Sequence, residues 1–266
     1  MKTNLLRSAA VQLFVVLAFA ASATAQDFQR TYRIGANDTI SIRNVSGDIK
    51  VTGYDGDAVS VVAYKEGRDR EFVQVEDTST ANRVELRARY PEERRSTNAS
   101  IRFELRVPRS TAYNFDSIST ASGNIEASDI TGNIRFTTAS GNVTLRDASG
   151  SIHASSASGN VRVEEARGSV NASTASGNVE AEITRLEGAT NMTFSSASGN
   201  VRVRLPANTD ADVEMSTSSG SLETEFPLQI EDSQYHSGKR ARGRLGSGSR
   251  RVRLSSASGD VRLLKS

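Results

Sequence analysis

The amino-acid sequence predicts an all-β protein built as a parallel β-solenoid, with about 18 residues per coil in two nine-residue rows and an irregular β cap at its N-terminal end. Three observations lead to this prediction. A nine-residue repeat fixes one glycine in each copy, an apolar–polar–apolar triplet follows that glycine, and two kinds of copy alternate. We expect a signal peptide over residues 1–25, the cap over 26–113 and the solenoid over 114–266.

The repeat is clearest between Ser119 and Ala181, which divide into rows reading STASGNIEA, SDITGNIRF, TTASGNVTL, RDASGSIHA, SSASGNVRV, EEARGSVNA and STASGNVEA. Each row has glycine in its fifth position and isoleucine or valine in its seventh. The fifth-position glycines are Gly123, Gly132, Gly141, Gly150, Gly159, Gly168 and Gly177. A fixed period is typical of repeat architectures, in which a unit buries its apolar face only by stacking on its neighbours.

Each row is predicted to contain a turn and then a short strand. Positions seven and nine are apolar and position eight is polar, as in Val161-Arg162-Val163, so side chains point alternately into and out of the core. Glycine followed by asparagine or serine is typical of turns. Glycine adopts positive φ without a Cβ clash, and asparagine tolerates positive φ and hydrogen-bonds its local backbone.

Odd and even rows begin differently, which makes the true period 18 residues. Equivalent rows therefore stack on the same side of a flattened solenoid, about 4.8 Å apart. One wall is predicted to carry Ser/Thr and asparagine ladders, and the other a row of acids. The asparagines are Asn124, Asn142, Asn160 and Asn178, and the acids are Asp129, Asp147 and Glu165. Small residues expected in the core, namely Ala157, Ala166, Ala172 and Ala175, indicate thin coils.

The C-terminal part departs from the repeat. After Ala181 the spacing loosens, and a last copy, SSASGDVRL, spans residues 255–263. Between them, residues 231–250 are rich in glycine and arginine, which predicts a loop that leaves the solenoid. From Gln234 to Ser266 there are nine lysines and arginines against one acid, Asp260.

Basic clusters attract anionic polymers and lipid headgroups, so this segment is a candidate contact with an anionic surface. The candidate contact residues are Lys239, Arg240, Arg242, Arg244, Arg250 and Arg251. The alternative is a solvated loop that binds nothing.

The N-terminal region, residues 26–113, is less regular. The stretch 45–59 already contains the Ser-Gly-Asp-Ile phrase, with Gly47 and Gly56 nine residues apart. Alternating runs at 72–76, 83–90 and 101–107 predict strands that pair as antiparallel neighbours. Such a cap would cover one open end of the solenoid, which otherwise exposes unpaired backbone.

The first 25 residues have the pattern of a secretory signal. Lys2 and Arg7 precede an apolar run from Ala9 to Ala21, and an Ala-x-Ala site ends at Ala25. The run is too short to span a bilayer comfortably, so we expect cleavage, export to the periplasm or cell surface, and no membrane span afterwards. The mature chain would have 31 basic and 31 acidic residues, which together with export argues against nucleic acid as a partner.

Several motifs together resemble a known family. The phrase VSGDIKVTGYDGDAVSVVA (45–63), then LRVPRS (105–110), the repeated Ser-Gly-Asn/Asp-Ile/Val, LP (205–206) and a terminal SASGDVRL are similar to the bacterial putative-adhesin domain, a domain of unknown function with β-strand repeats. The resemblance covers essentially the whole mature chain. It implies a β-solenoid in the cell envelope or at the surface, and it implies no catalytic residues.

Three functions remain open at this point. The preferred one is an exported, non-enzymatic binding or scaffold module of the envelope, whose partner is a glycan, an anionic surface or another envelope protein. The second is a stress-linked regulatory module that binds protein, and the third is a carbohydrate-active β-helix enzyme that uses Asp129, Asp147 and Glu165. Arginines in the same rows favour a solvated ion-pair wall over an active site.

We expect no cofactor and no metal. The glycine spacing is similar to that of a calcium β-roll, but the ladder offers neutral oxygens where calcium prefers carboxylates. The oligomeric state is left open by the sequence.

Overall fold

Strands form every regular element of the described residues apart from one 3₁₀ turn at Arg70–Phe72. The structure, a computed structural model, describes residues 27–91, 97–187, 190–232 and 238–266. The predicted signal peptide, residues 1–25, lies outside the described residues. No helix in the described part of the chain is long and apolar enough to cross a membrane.

The strands join into one 22-stranded sheet. The N-terminal strands are β1 (Phe28–Tyr32), β2 (Thr39–Arg43), β3 (Ile49–Tyr54), β4 (Val59–Glu66), β5 (Gln74–Asp77), β6 (Arg83–Arg89) and β7 (Ser100–Pro108). The central strands are β8 (Ala112–Ser122), β9 (Ile125–Ser128), β10 (Thr131–Ser140), β11 (Val143–Arg146), β12 (Ser149–Ser158), β13 (Val161–Ser176), β14 (Val179–Arg185), β15 (Met192–Ser198) and β16 (Val201–Leu205). The C-terminal strands are β17 (Ala211–Ser219), β18 (Leu222–Thr224), β19 (Gln229–Asp232), β20 (Lys239–Leu245), β21 (Arg251–Ser258) and β22 (Val261–Lys265).

The predicted parallel β-solenoid with an 18-residue coil is confirmed. A coil consists of one long strand and one short strand, for example β10 and then β11. Each pairs in parallel with its equivalent 18 residues on, so that Ile134 lies beside Ile152 and Val143 beside Val161. The stacked long strands form a wide wall, comprising β2, β8, β10, β12, the second half of β13, β15, β21 and β17. The stacked short strands form a narrow wall, comprising β3, β9, β11, the first half of β13, β14, β16, β22 and β18.

The core lies between the two walls. Val161 and Val163 are fully buried, as the alternation in positions seven and nine predicts. Ala166 and Ala172 are also buried, whereas Ala157 and Ala175, which were expected in the core, are exposed. The long strand continues across the row boundary without changing its alternation, and therefore the second position of an odd row points inward and the third does not.

Glycines occupy two different places. Gly141 lies in the tight turn between the long and the short strand, with φ of 150°, as predicted. Gly150, from an even row, lies inside strand β12, where no turn occurs. Both sites exclude a side chain, because a Cβ would lie about 2 Å from the carbonyl oxygen of the equivalent glycine one coil earlier. In the even rows the predicted turn is therefore not at the glycine; the chain bends instead at the second position of the row, for example at Asp147.

The parallel stack begins within the segment that the sequence predicted as a cap. Strands β2 and β3 form a coil that pairs in parallel with β8 and β9 on one side and with β6 and β7 on the other. The antiparallel pairing predicted for the runs at 72–76 and 83–90 occurs between β5 and β6. The run at 101–107, in β7, does not pair with β6 as predicted and instead pairs antiparallel with β4, which also pairs with β1.

The C-terminal coils are not stacked in chain order. The last coil, β21 and β22, pairs in parallel with β15 and β16 on one side and with β17 and β18 on the other. Beyond it, β20 pairs antiparallel with β17 and with β19. Strands β17 to β20 therefore form a C-terminal cap that contacts the rest of the stack through the last coil.

The predicted loop at 231–250 is wrong, because β20 lies within it. Its sequence alternates arginine with small or apolar residues, and Ala241 and Leu245 are buried while Arg240, Arg242 and Arg244 are exposed. The segment thus contributes to the core. Part of the predicted loop, residues 233–237, lies outside the described residues.

Candidate anion-binding face

Some of the Ser and Thr hydroxyls of the repeated motif form hydrogen bonds inside the fold. In each odd row the second residue, Ser or Thr, is buried and donates a hydrogen bond to the carbonyl oxygen of a glycine one coil earlier, as Thr174 does to Gly159 over 2.8 Å. The same bond is made by Thr120, Thr138, Ser156, Ser196, Thr217 and Ser256. These hydroxyls are therefore unavailable to a ligand on the surface.

The predicted asparagine ladder is present, and its bonds run between coils as expected, from the backbone N–H of one asparagine to the side chain of the previous one. The backbone N–H of Asn160 donates to Oδ1 of Asn142 over 2.9 Å, and that of Asn178 donates to Oδ1 of Asn160 over 2.8 Å. The ladder begins at Asp48 and ends at Asp260, whose carboxylate accepts from Ser221. These asparagines lie in the turns after the glycines, as predicted, but none of them has the positive φ that was expected to be tolerated there.

The three acids predicted to line one wall lie at corners. Asp129, Asp147 and Glu165 have φ of 57°, 50° and 54°, and each lies where the chain leaves a narrow-wall strand. This left-handed backbone conformation bends the chain at each of the three positions. Among the described residues no group of three His, Cys, Asp or Glu side chains is placed to hold a metal ion.

The outer surface of the narrow wall carries a series of ion pairs. Arg146 lies 2.6 Å from Glu164, and Arg162 lies 2.7 Å from Glu180. A third arginine, Arg202, lies 3.9 Å from Glu180 on its other side. Opposite charges thus follow one another along the stack, and this wall largely neutralises itself.

The outer surface of the wide wall is flat and polar. Ser155 donates to the hydroxyl of Thr137 over 3.2 Å, in the outward row of short hydroxyls. Beside this row lies a shallow depression of about 330 Å³ that Arg135 and His153 help to line. Burial lowers the pKa of His153, and the neighbouring charge of Arg135 lowers it further.

A concentration of positive charge lies on the C-terminal cap and the adjoining strand β21. Three adjacent strands, in the order β20, β17 and β21, present their outward side chains in rows. Arg244, Asp212 and Arg251 form one row, and Arg242, Glu214 and Arg253 form the next. A fifth arginine, Arg240, lies beyond them on β20. We call this surface the arginine face.

The acids lie on the floor of this face and the arginines around it. The side chain of Glu214 is 20% exposed, against 60% for Arg242 and 50% for Arg253. An open depression of about 720 Å³ covers the two acids and is bounded by Arg242, Arg244, Arg251 and Arg253. Five guanidinium groups thus surround two carboxylates, which leaves the face positively charged.

Specific contacts position these side chains. Oε1 of Glu214 accepts a hydrogen bond from Arg242 over 2.9 Å, and Oε2 accepts one from Arg253 over 2.8 Å. Arg244 donates to Asp212 over 2.9 Å. The bond from Arg242 lowers the pKa of Glu214, and that from Arg253 adds to the effect against the opposing influence of burial.

The face includes only part of the set predicted from the sequence. Arg240, Arg242, Arg244 and Arg251 belong to it. Lys239 lies on the opposite side of β20, and Arg250 lies in the turn before β21 with its Nε buried.

Arg253, Asp212 and Glu214 were missed as members of the face. The alternation Arg251-Val252-Arg253 could have indicated Arg253. The acids could not be found in this way, because they come some 40 residues earlier in the chain and their place beside β21 follows from the inserted coil.

A family model of the Toastrack domain, DUF4097, matches residues 30–264 and so covers nearly all of the described residues. The chain belongs to the Toastrack family. This match confirms the family resemblance that the sequence motifs indicated. No curated protein is significantly similar to the chain.

The chain also has weak structural similarity to crystal structures of other bacterial proteins. A putative cell adhesion protein from Clostridium sporogenes is 11% identical, with a TM-score of 0.42, over 90% of this chain and 99% of its own. A putative adhesin from Bacteroides fragilis is 15% identical, with a TM-score of 0.38, over 89% and 96%. A putative lipid binding protein from Parabacteroides distasonis is 12% identical, with a TM-score of 0.41, over 88% and 96%. Similarity at this level gives no information on a ligand.

Proposed function

We propose that this Toastrack protein is an exported, non-catalytic binding module of the cell envelope, and that it holds an anionic polymer or surface against the arginine face. The observation that carries the proposal is the surplus of arginines around Asp212 and Glu214 in an open depression. The signal-like N-terminus supports export, and the family match supports a β-solenoid of the type expected in the envelope.

The central parts of the two walls offer less to an anion. On the narrow wall the arginines alternate with glutamates, and on the wide wall most outward side chains are short and neutral. Exposed pairs of this kind contribute little energy and leave little field at a distance. The arginine face, by contrast, combines several cations with an open approach.

No catalytic step is part of the proposal. The acids considered as an active site, Asp129, Asp147 and Glu165, lie at corners of successive coils and serve the bend of the chain. Protein-binding regulation remains the alternative, and it predicts capture of one envelope protein with no preference for charge.

The proposal is tested with vesicles of phosphatidylglycerol and phosphatidylcholine, and with lipopolysaccharide as a second source of anionic groups. The protein should bind both at low salt and lose binding steeply above physiological ionic strength, where charges are screened beyond about 8 Å. Changing Arg242, Arg244, Arg251 and Arg253 to serine should abolish binding. Neutral vesicles should not bind.

A second variant removes the same charge elsewhere. Arg146, Arg162, Arg202 and Arg204 lie on the narrow wall, and their replacement by serine should leave binding largely intact. Circular dichroism and thermal unfolding verify that both variants are folded. If the wild type ignores both anionic sources at low salt, or if the two variants lose binding equally, the arginine face is not a binding site.

A further inference from the structure

Glu214 and Asp212 lie where an external anion would have to bind. Glu214 bridges two strands, since one carboxylate oxygen accepts from Arg242 of β20 and the other from Arg253 of β21. Arg240 also approaches it, at 4.0 Å. The structure thus already contains a bound carboxylate at the centre of the arginine face, and this carboxylate belongs to the chain itself.

An external ligand must compete with these internal carboxylates. The internal groups are tethered beside the arginines, so their effective concentration is high. A ligand carboxylate has the same charge and the same two oxygens as Glu214, and it gains little by taking its place. A phosphomonoester carries a charge of about −1.5 to −2 and three acceptor oxygens, so each guanidinium gains more by turning to it.

One arginine is available for the first contact. Arg251 lies opposite Asp212 in register and is exposed, and its side chain makes no ion pair with any described residue. Asp212 is instead bound by Arg244 on its other side. A ligand can therefore reach Arg251 before any internal ion pair is broken.

We propose that the arginine face selects clustered phosphate groups over carboxylates, because Glu214 and Asp212 act as internal competitors for its arginines. This inference rests on the proposed function and adds the class of ligand and the residues that set it. Removal of the charge of Glu214 should then strengthen anion binding. If Glu214 only held Arg240, Arg242 and Arg253 in place, its removal should weaken binding instead.

Two soluble probes with six anionic groups on a six-membered ring make the test: inositol hexakisphosphate and benzenehexacarboxylate. By calorimetry at low salt, the wild type should prefer the phosphate probe by about tenfold or more. Glu214→Gln should strengthen binding of the carboxylate probe by about fivefold or more. The preference for the phosphate probe over the carboxylate probe should become smaller. Asp212→Asn should act in the same direction and serves as the second variant if Glu214→Gln does not fold.

Glu180→Gln is the matched control. Glu180 lies between Arg162 and Arg202 on the narrow wall, so the change removes one negative charge from between two arginines, as Glu214→Gln does. It should leave the affinity for both probes unchanged. An equal gain in Glu180→Gln would show an effect of net charge alone and would overturn the proposal.

The outcomes separate this inference from the proposed function. If the wild type binds but Glu214→Gln and Asp212→Asn bind no better, the competitor role is wrong while the binding function stands. If neither the wild type nor the variants bind any anion, both are wrong. Vesicles containing phosphatidic acid, compared with soluble inositol hexakisphosphate, distinguish a lipid headgroup from a soluble phosphate as the source, and the preference over carboxylate should hold for either.

Discussion

At Gly159 the space that a side chain would need is already occupied by the carbonyl oxygen of Gly141. A Cβ there would lie 2.0 Å from that oxygen, and φ is 147°. The same carbonyl accepts a hydrogen bond from Ser156. The repeated phrase is thus a set of contacts between successive coils, in which glycine admits the carbonyl, a hydroxyl satisfies it, and asparagine binds the next backbone N–H. This is why nearly the same letters recur.

Gly159→Ala should therefore lower the free energy of unfolding by about 1–3 kcal/mol, because alanine is strained at this φ and its Cβ would clash with the carbonyl oxygen of Gly141. Gly35→Ala is the control, because a Cβ at Gly35 would be 3.5 Å from Asp38, an ordinary contact, without positive φ. Urea unfolding measures both. Equal midpoints for the two variants would show that the coil contact does not restrict Gly159.

At the scale of elements, the N-terminal end is closed by side chains that join two strands from different walls. Strand β1 is the last strand on the narrow-wall side, and β5 is the last on the wide-wall side. Asp77 of β5 accepts hydrogen bonds from Arg30 and Tyr32 of β1, over 2.7 Å from Tyr32, and from the backbone N–H of Ser79. Polar contacts thus hold together two edge strands that make no backbone pairing with each other.

These contacts predict a dependence on pH. Burial alone would raise the pKa of Asp77, but the hydrogen bonds from Ser79, Tyr32 and Arg30 outweigh it and lower the pKa from 3.8 to about 2. A lowered folded-state pKa gives stability that is present above the unfolded value and is lost as pH falls through the folded one. Asp77→Asn should be less stable than the wild type by about 1–3 kcal/mol near pH 6.

The difference between wild type and Asp77→Asn should shrink as pH falls from about 4 to 2. Urea unfolding at a series of pH values measures it, and the other carboxylates cancel because both proteins contain them. A difference that stays constant down to pH 2 would mean that Asp77 contributes through packing rather than through its charge.

At the scale of the whole molecule, the repeated motif predicts the structure of each coil but not the order in which the coils stack. The spacing of the glycines and the alternation in Val161-Arg162-Val163 predict the 18-residue coil, the two walls and the core positions seven and nine, because these depend on contacts that every copy repeats. The copy at 255–263 has the same phrase as the others, and so nothing local indicates that it inserts between β15–β16 and β17–β18.

The candidate site depended on that missing information. The basic residues of β20 are visible in the sequence, but its content of glycine and arginine is typical of loops, and the strand was therefore not predicted. The acids opposite them became neighbours only because β17 lies between β20 and β21. Charge counted along the chain from Gln234 to Ser266 therefore overestimated the charge on the surface, where Asp212 and Glu214 offset part of it.

The inserted coil also predicts how the molecule opens. In the described residues, β17 pairs only with β20 and β21, and β18 only with β22, so the C-terminal cap and its arginine face are anchored through the last coil. Gly259→Ala would place a Cβ 2.2 Å from the carbonyl oxygen of Gly199 and should weaken the junction between the last coil and β15–β16. Amides of β17, β20, β21 and β22 should then lose hydrogen-exchange protection together, because they form one unit beyond that junction.

Amides of β8 to β12 serve as the internal control and should keep their protection, since several intact coils separate them from the change. Arg251 and Arg253 of the last coil and Arg242 and Arg244 of β20 all lie in the unit that should open. The variant should therefore lose anion binding in proportion to the fraction of molecules in which this unit is unfolded. If β21 and β22 lost protection while β17 and β20 kept theirs, the cap would have a second anchor and the insertion would not govern the stability of the arginine face.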